Sequence, residues 1–241
     1  TKNRNLPVVG LVLLFGIANG LDHAAGSGLI RDRDIGWRAA IALVVLMISL
    51  IGGRIIPSFT RNWMTKQGMK EGLPGQPTRF DLAVIGVTAL ALLGWTIAPE
   101  AAAVAWVLAG AGLLQLVRLA RWRGWRTVRD PLVIILHIGY LWVPVGLLLI
   151  AAAGLGAPLS RSAAVHALTA GAMATMILAV MSRATLGHTG RSLKADGGTV
   201  LACILITVGA LLRVAAPVGL VDYTIGIEAA ALCWGGAFLL F

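Results

Sequence analysis

Charge is scarce in this chain. Asp, Glu, Lys and Arg make up 12% of its 241 residues, against 58% hydrophobic, and the mean hydropathy is +0.87. A water-soluble domain carries about 25% charged residues, so this balance excludes one and leaves a polytopic membrane protein. Acidic side chains are the scarcest, ten against twenty basic, for a formal net charge of +10. That excess does not mark a nucleic-acid binder. The basic residues sit in short connections between apolar runs, as the orientation rule for membrane proteins requires, and no DNA- or RNA-binding motif accompanies them. The only cysteines, Cys203 and Cys233, both lie in apolar runs and read as small core residues. There is no phosphate loop, no nucleophile triad, no CxxC metal motif and no CxxCH haem-attachment motif, so any haem would be held non-covalently. No repeat of solenoid period occurs.

What is present is a series of apolar runs, each near the ~20 residues a spanning helix needs. Eight can be read, at about 6–25, 37–59, 80–98, 101–120, 131–153, 163–183, 198–216 and 221–241. The expected fold is all-α, a transmembrane helical bundle forming one domain over 1–241. Ala98-Pro99-Glu100 must be a tight hairpin, and the Gly/Pro-rich stretch from Arg61 to Arg79 reads as a flexible connection. Of the twenty basic residues, fifteen fall in one alternating set of ends and loops and five (Arg31, Arg33, Arg38, Arg161, Arg213) in the other. The richer set should face the cytoplasm, giving an N-in and C-in topology. The run RLARWRGWRTVRD (118–130) then reads as an interfacial anchor, with arginines at headgroup phosphates and Trp122 and Trp125 in the aromatic belt. Because Thr1 is not an initiator Met and Phe241 falls inside an apolar run, the chain reads as part of a longer protein.

Depth sorts the four histidines. His23 and His166 fall near the outer face, His137 about 9 Å into the inner half, and His188 just beyond the inner end of the sixth run. Two pairs follow, His23 with His166 and His137 with His188. Neutral imidazole suits haem iron, copper or zinc, and its second nitrogen needs an orienting partner; Asn19 or Asp22 lies near His23, and Tyr140 one turn from His137. The alternative for each is a hydrogen-bonded core residue. On a regular helix His166, Thr169, Met173 and Met176 share one side. The methionines read equally as adaptable packing. Glu228 lies within the last run, placed either to carry protons or to pair with Arg213. Arg54 and Arg183, at the inner ends of two runs, could hold porphyrin propionates or snorkel to lipid phosphate.

Four stretches together resemble the NnrS family of multi-spanning membrane proteins: RNLPVV followed by ANGLDH (4–9 and 18–23), GGRIIPSFTRN (52–62), HIGYLWVPVGLLL (137–149) and HALTAGAMATMILAVMSRATLGHTGR (166–191). The last is the most specific, and the resemblance covers essentially the whole chain as the larger, C-terminal part of a protein of about twelve spans. Gly20 and Asp22 stand where bulky apolar residues are usual in the family, and its early His-x-His-Glu-Met stretch is not in this sequence. The resemblance implies a multi-pass protein of the bacterial inner membrane that contains haem (non-covalent haem b) and copper and acts in nitric oxide and nitrosative stress. It makes His23, His137, His166 and His188 the first-choice metal or haem ligands. Arg54, Arg183 and Tyr140 become supporting residues and Glu228 a proton carrier.

Three function classes fit these expectations. One is a haem protein that binds nitric oxide, in its stronger form a quinol-linked nitric oxide reductase drawing electrons from membrane quinol. Another is a transporter for a small molecule or metal, with helices broken near Pro57 and Pro144. The third is an assembly or sensing partner without turnover.

Overall fold

A computed structural model of the chain describes residues 6–241; Lys2, Arg4 and the start of the RNLPVV stretch lie outside the described residues. The order is α1 (Leu6–Gly26), α2 (Ile35–Lys66), α3 (Arg79–Ile97), α4 (Ala102–Arg121), a short turn (Gly124–Thr127), α5 (Pro131–Gly154), α6 (Arg161–His166), a π-helical stretch (Ala167–Met173), α7 (Ala174–His188), α8 (Gly197–Ala215) and α9 (Tyr223–Leu239). No strand occurs among the described residues, so the all-α bundle expected from composition is what forms. α6, the π stretch and α7 run on as a single span, Arg161–His188. Among the described residues seven helices have the length and apolar character to cross a membrane, and α9, in the eighth expected span, is an apolar helix of 17 residues. Large apolar side chains such as Leu82, Leu90, Trp106 and Leu232 are exposed, which suits faces turned to acyl chains rather than water.

The helix ends follow from local chemistry. Thr78 donates its backbone N–H and hydroxyl to Asp81 Oδ2 (2.8 and 2.9 Å), fixing the start of α3. Asp130, Asp196 and Asp222 accept from Leu132, Thr199 and Ile225 N–H and so start α5, α8 and α9, and Pro131 sits where a missing N–H costs nothing. The hairpin at Ala98-Pro99-Glu100 is as tight as expected, since α3 stops at Ile97 and α4 starts at Ala102. The 61–79 connection differs from expectation. α2 continues to Lys66 because Met64 is fully buried and holds the last turn against the bundle. The remainder is tied down by Arg61 donating to the Pro74 carbonyl and Arg126 to that of Glu71 (3.0 and 3.1 Å). Both α2 and α5 stay helical through Pro57 and Pro144.

α5 is the hub, packed against α2, α4, α6, the π stretch, α7 and α8. Glycines set its closest approaches. A Cβ on Gly171 would meet the Trp142 indole, and one on Gly146 would meet Leu168, so the π stretch lies directly on α5. Cross-chain bonds show which ends gather. Arg118–Asp81 and Thr60–His137 unite the C-terminal ends of α2 and α4 with the N-terminal ends of α3 and α5. At the opposite end Arg38 is buried, bonded to the Thr96 carbonyl and ion-paired with Asp32, while Arg161 pairs bidentately with Glu100. That exposed guanidinium holds the Glu100 carboxyl below the ordinary glutamate value of 4.5.

Candidate functional site

Two places hold imidazoles in chemically distinct surroundings. The first is a groove of about 500 Å³ between the π stretch, α7, α8 and α9. His166, Thr169 and Met173 line one wall; Gly209 and Arg213 come from α8, and Trp234 and Phe238 from α9. The volume lies within the range of about 300–1,000 Å³ usual for cofactor sites. His166 is half-buried, and among the described residues no hydrogen bond engages its ring. Immediately after His166 the helix changes winding to π, a distortion that concentrates at functional sites. Arg213, also half-buried, is the groove's cation. An ion pair with Arg213 was one of the two roles open to Glu228 in the sequence, but Glu228 is exposed on α9 and among the described residues makes no ion pair with Arg213.

The second place is the end of the bundle where α2 to α5 converge. Arg118, only 1% exposed, donates Nε to Asp81 Oδ1 (3.0 Å) and Nη1 to the Ser49 carbonyl and hydroxyl and to Tyr140 Oη (3.0, 3.0 and 2.9 Å). Tyr140 donates to Gln115 Oε1 (2.7 Å), and Gln115 Nε2 donates to Ser49 and Thr88 (2.9 Å each). Every member of this network is bonded, as burial in a low-dielectric interior demands. The Arg118 guanidinium also lies over Trp122, whose ring meets Tyr140 and His137 edge-on at 4.6 and 6.5 Å between centroids. Arg118 and Trp122 (3% exposed) are therefore core residues, contrary to the interfacial role expected for them. Trp125, 61% exposed, keeps a position suited to anchoring.

His137 borders this network. Its Nε2 lies 2.8 Å from Thr60 Oγ1, which donates its hydroxyl to the Ile56 carbonyl (2.9 Å). A hydroxyl has one proton, so both bonds stand together only if Nε2–H is the donor to Thr60. Nδ1 is then a bare acceptor, and it is buried without a partner.

The remaining expected residues are dispersed. His23 is exposed on α1, a helix packed on α2, and Asn19 and Asp22 are exposed beside it. His188 is exposed at the end of α7. Arg183 stacks on Phe59 (4.1 Å), and Arg54 is exposed on α2. Tyr140 does not orient His137; its hydroxyl belongs to the Arg118 network. Among the described residues no group of three or more His, Cys, Asp or Glu could hold a metal. Sequence reasoning missed Asp81, Gln115 and Thr60. The available signal was polar side chains placed inside apolar runs, which must find partners there.

A haem group can be tested against both imidazoles. The His166 groove fits, since it offers a free imidazole, apolar and aromatic walls and one guanidinium for a carboxylate. His137 does not fit. Nε2 is engaged by Thr60, and a Cβ on Gly124 would overlap Nδ1, so that backbone leaves no space for a porphyrin plane.

No curated protein and no solved structure matches the chain. The model of one family, described as NnrS protein, matches residues 1–241, and the chain belongs to the NnrS family.

Proposed function

We propose that this membrane protein binds haem b in the groove beside His166 and acts through it in the nitric oxide response that membership of the NnrS family implies. The observation that carries the reading is the half-buried His166 ring, free of hydrogen bonds among the described residues, in an apolar groove of about 500 Å³ that also contains Arg213. Bound haem would supply an iron able to take nitric oxide directly. This chain's residues do the rest. His166 offers a ring nitrogen, Arg213 offers its guanidinium to a carboxylate, and Met173, Trp234 and Phe238 exclude water. Among the described residues no three or more His, Cys, Asp or Glu gather into a copper site.

The test is the visible spectrum of the purified full-length protein supplied with haem. A Soret band that shifts on adding nitric oxide and is lost in His166→Ala supports the reading; an undiminished band in that variant overturns it. The transporter alternative gains nothing from Pro57 and Pro144, since both helices continue unbroken through them.

A further inference from the structure

The arginines of the run 118–130 do not share one fate. Arg118 belongs to the buried network. Arg121 stacks on Phe80 (4.6 Å) and donates Nη2 to Thr78 Oγ1 (3.3 Å). Arg126 donates Nη1 to the Glu71 carbonyl (3.1 Å), which draws the 61–79 connection over the Gly124–Thr127 turn. Arg123 is partly buried, and among the described residues its guanidinium makes no hydrogen bond or ion pair. A guanidinium carries five N–H donors and no acceptor, so its unmet demand is for oxygen atoms and negative charge.

Gly72 shows where these donors gather. A Cβ there would collide with Nη1 of Arg123 and with Nη1 of Arg126 at once, so the two guanidinium groups converge on one spot of the backbone. At that spacing like charges repel, and among the described residues no carboxylate pairs with either. The acids beside them in sequence do not supply one. Asp130 accepts from Leu132 N–H, and the exposed Glu71 gives Arg126 its carbonyl while its carboxylate makes no ion pair. Arg123 also has φ of 56°, the one positive value on a non-glycine among the described residues. Backbone strain of this kind gathers at ligand clamps.

One anion with several oxygens relieves such a pair, because the oxygens of a single phosphate can accept from both guanidinium groups. The surroundings name its source. Trp125, between the two arginines in sequence, and Val128, just after them, are 61% and 65% exposed, so apolar surface borders the basic spot as it does at a bilayer interface. We propose that Arg123 and Arg126, gathered at Gly72, bind the phosphate of an anionic phospholipid headgroup. A zwitterionic headgroup fits less well, since its own ammonium would be brought beside two guanidinium groups. The site shares no residue with the His166 groove and does not depend on haem.

Titration of the full-length protein in a neutral detergent, read by thermophoresis, tests the proposal with three probes: dioctanoyl phosphatidylglycerol, dioctanoyl phosphatidylcholine and inorganic phosphate. Phosphatidylglycerol should bind saturably and about tenfold more tightly than phosphatidylcholine, as cations held against a headgroup predict. Inorganic phosphate at the same concentration should not displace it. Arg123→Gln with Arg126→Gln should abolish the preference. Arg31→Gln with Arg33→Gln removes the same charge from exposed positions at the opposite end of the bundle and should leave it intact. Equal binding of the two lipids by the unaltered protein, or non-saturable uptake, overturns the proposal whatever the fate of the variants. Displacement by inorganic phosphate overturns the lipid as occupant and leaves a site for the free anion. A folded Arg123→Gln and Arg126→Gln variant that keeps the preference, or an equal loss in the Arg31 and Arg33 variant, overturns it too.

Discussion

Asp81 takes three hydrogen bonds, two from Thr78 and one from Arg118, and so joins the start of α3 to the C-terminal end of α4. Taking one partner from a buried ion pair strands the other, at a cost of about 3–5 kcal/mol. Arg118→Leu or Asp81→Leu alone should therefore lower the unfolding temperature in detergent sharply, and the double variant should recover much of the loss. A double variant as unstable as the sum of the singles would contradict the pairing. At the opposite end Glu100 behaves as a surface group. Its folded-state pKa lies below the ordinary value, so its stabilising effect is full above pH 4.5 and is lost as pH falls through the depressed value. The difference in thermal midpoint between Glu100→Gln and the unaltered protein should accordingly be present at pH 7 and vanish in acid. At this scale the sequence was partly legible. His166 and Tyr140 stood out as polar groups in apolar runs, but their partners lie far along the chain. Ser49 is 91 residues from Tyr140 and Thr60 is 77 from His137, and no local pattern carries such pairings.

Among the elements, the π stretch decides what His166 faces. A regular helix puts His166, Thr169, Met173 and Met176 on one side. Instead the first three line the groove with Arg213, whereas Met176 joins Met47 and Met181 in a second groove against α2, with Met173 shared between the two. A 3.6-residue period cannot register seven residues of wider winding, which is why the sequence pointed to the stripe but not to its division. Deleting Ala170 should return this stretch towards regular α-helix and turn His166 out of register with Arg213. The expected result is loss of haem with helicity retained by circular dichroism; full haem retention would separate the π winding from binding. Gly171→Leu, which drives a side chain into Trp142, should destabilise by about 1–3 kcal/mol, read as a lower unfolding temperature.

For the whole molecule, spans, hairpin and fold class were legible because bilayer thickness and hydropathy leave few alternatives. The last expected span, 221–241, appears as α9, which starts where Asp222 caps Ile225 N–H. The bundle order was not legible, since α5 becomes the hub through glycine contacts that hydropathy does not encode. The charge asymmetry predicts the orientation. With the native cysteines replaced, Ser192→Cys should react with a membrane-impermeant thiol reagent only after cells are opened, and Ser160→Cys in intact cells; the reverse pattern would invert the topology.

The central claim, that the groove beside His166 is a haem site, is tested most directly by haem content per purified chain in the unaltered protein and in His166→Ala. Near-stoichiometric haem in the first and almost none in the second is the predicted result. Equal haem in both, or none in either after haem is supplied, would contradict it.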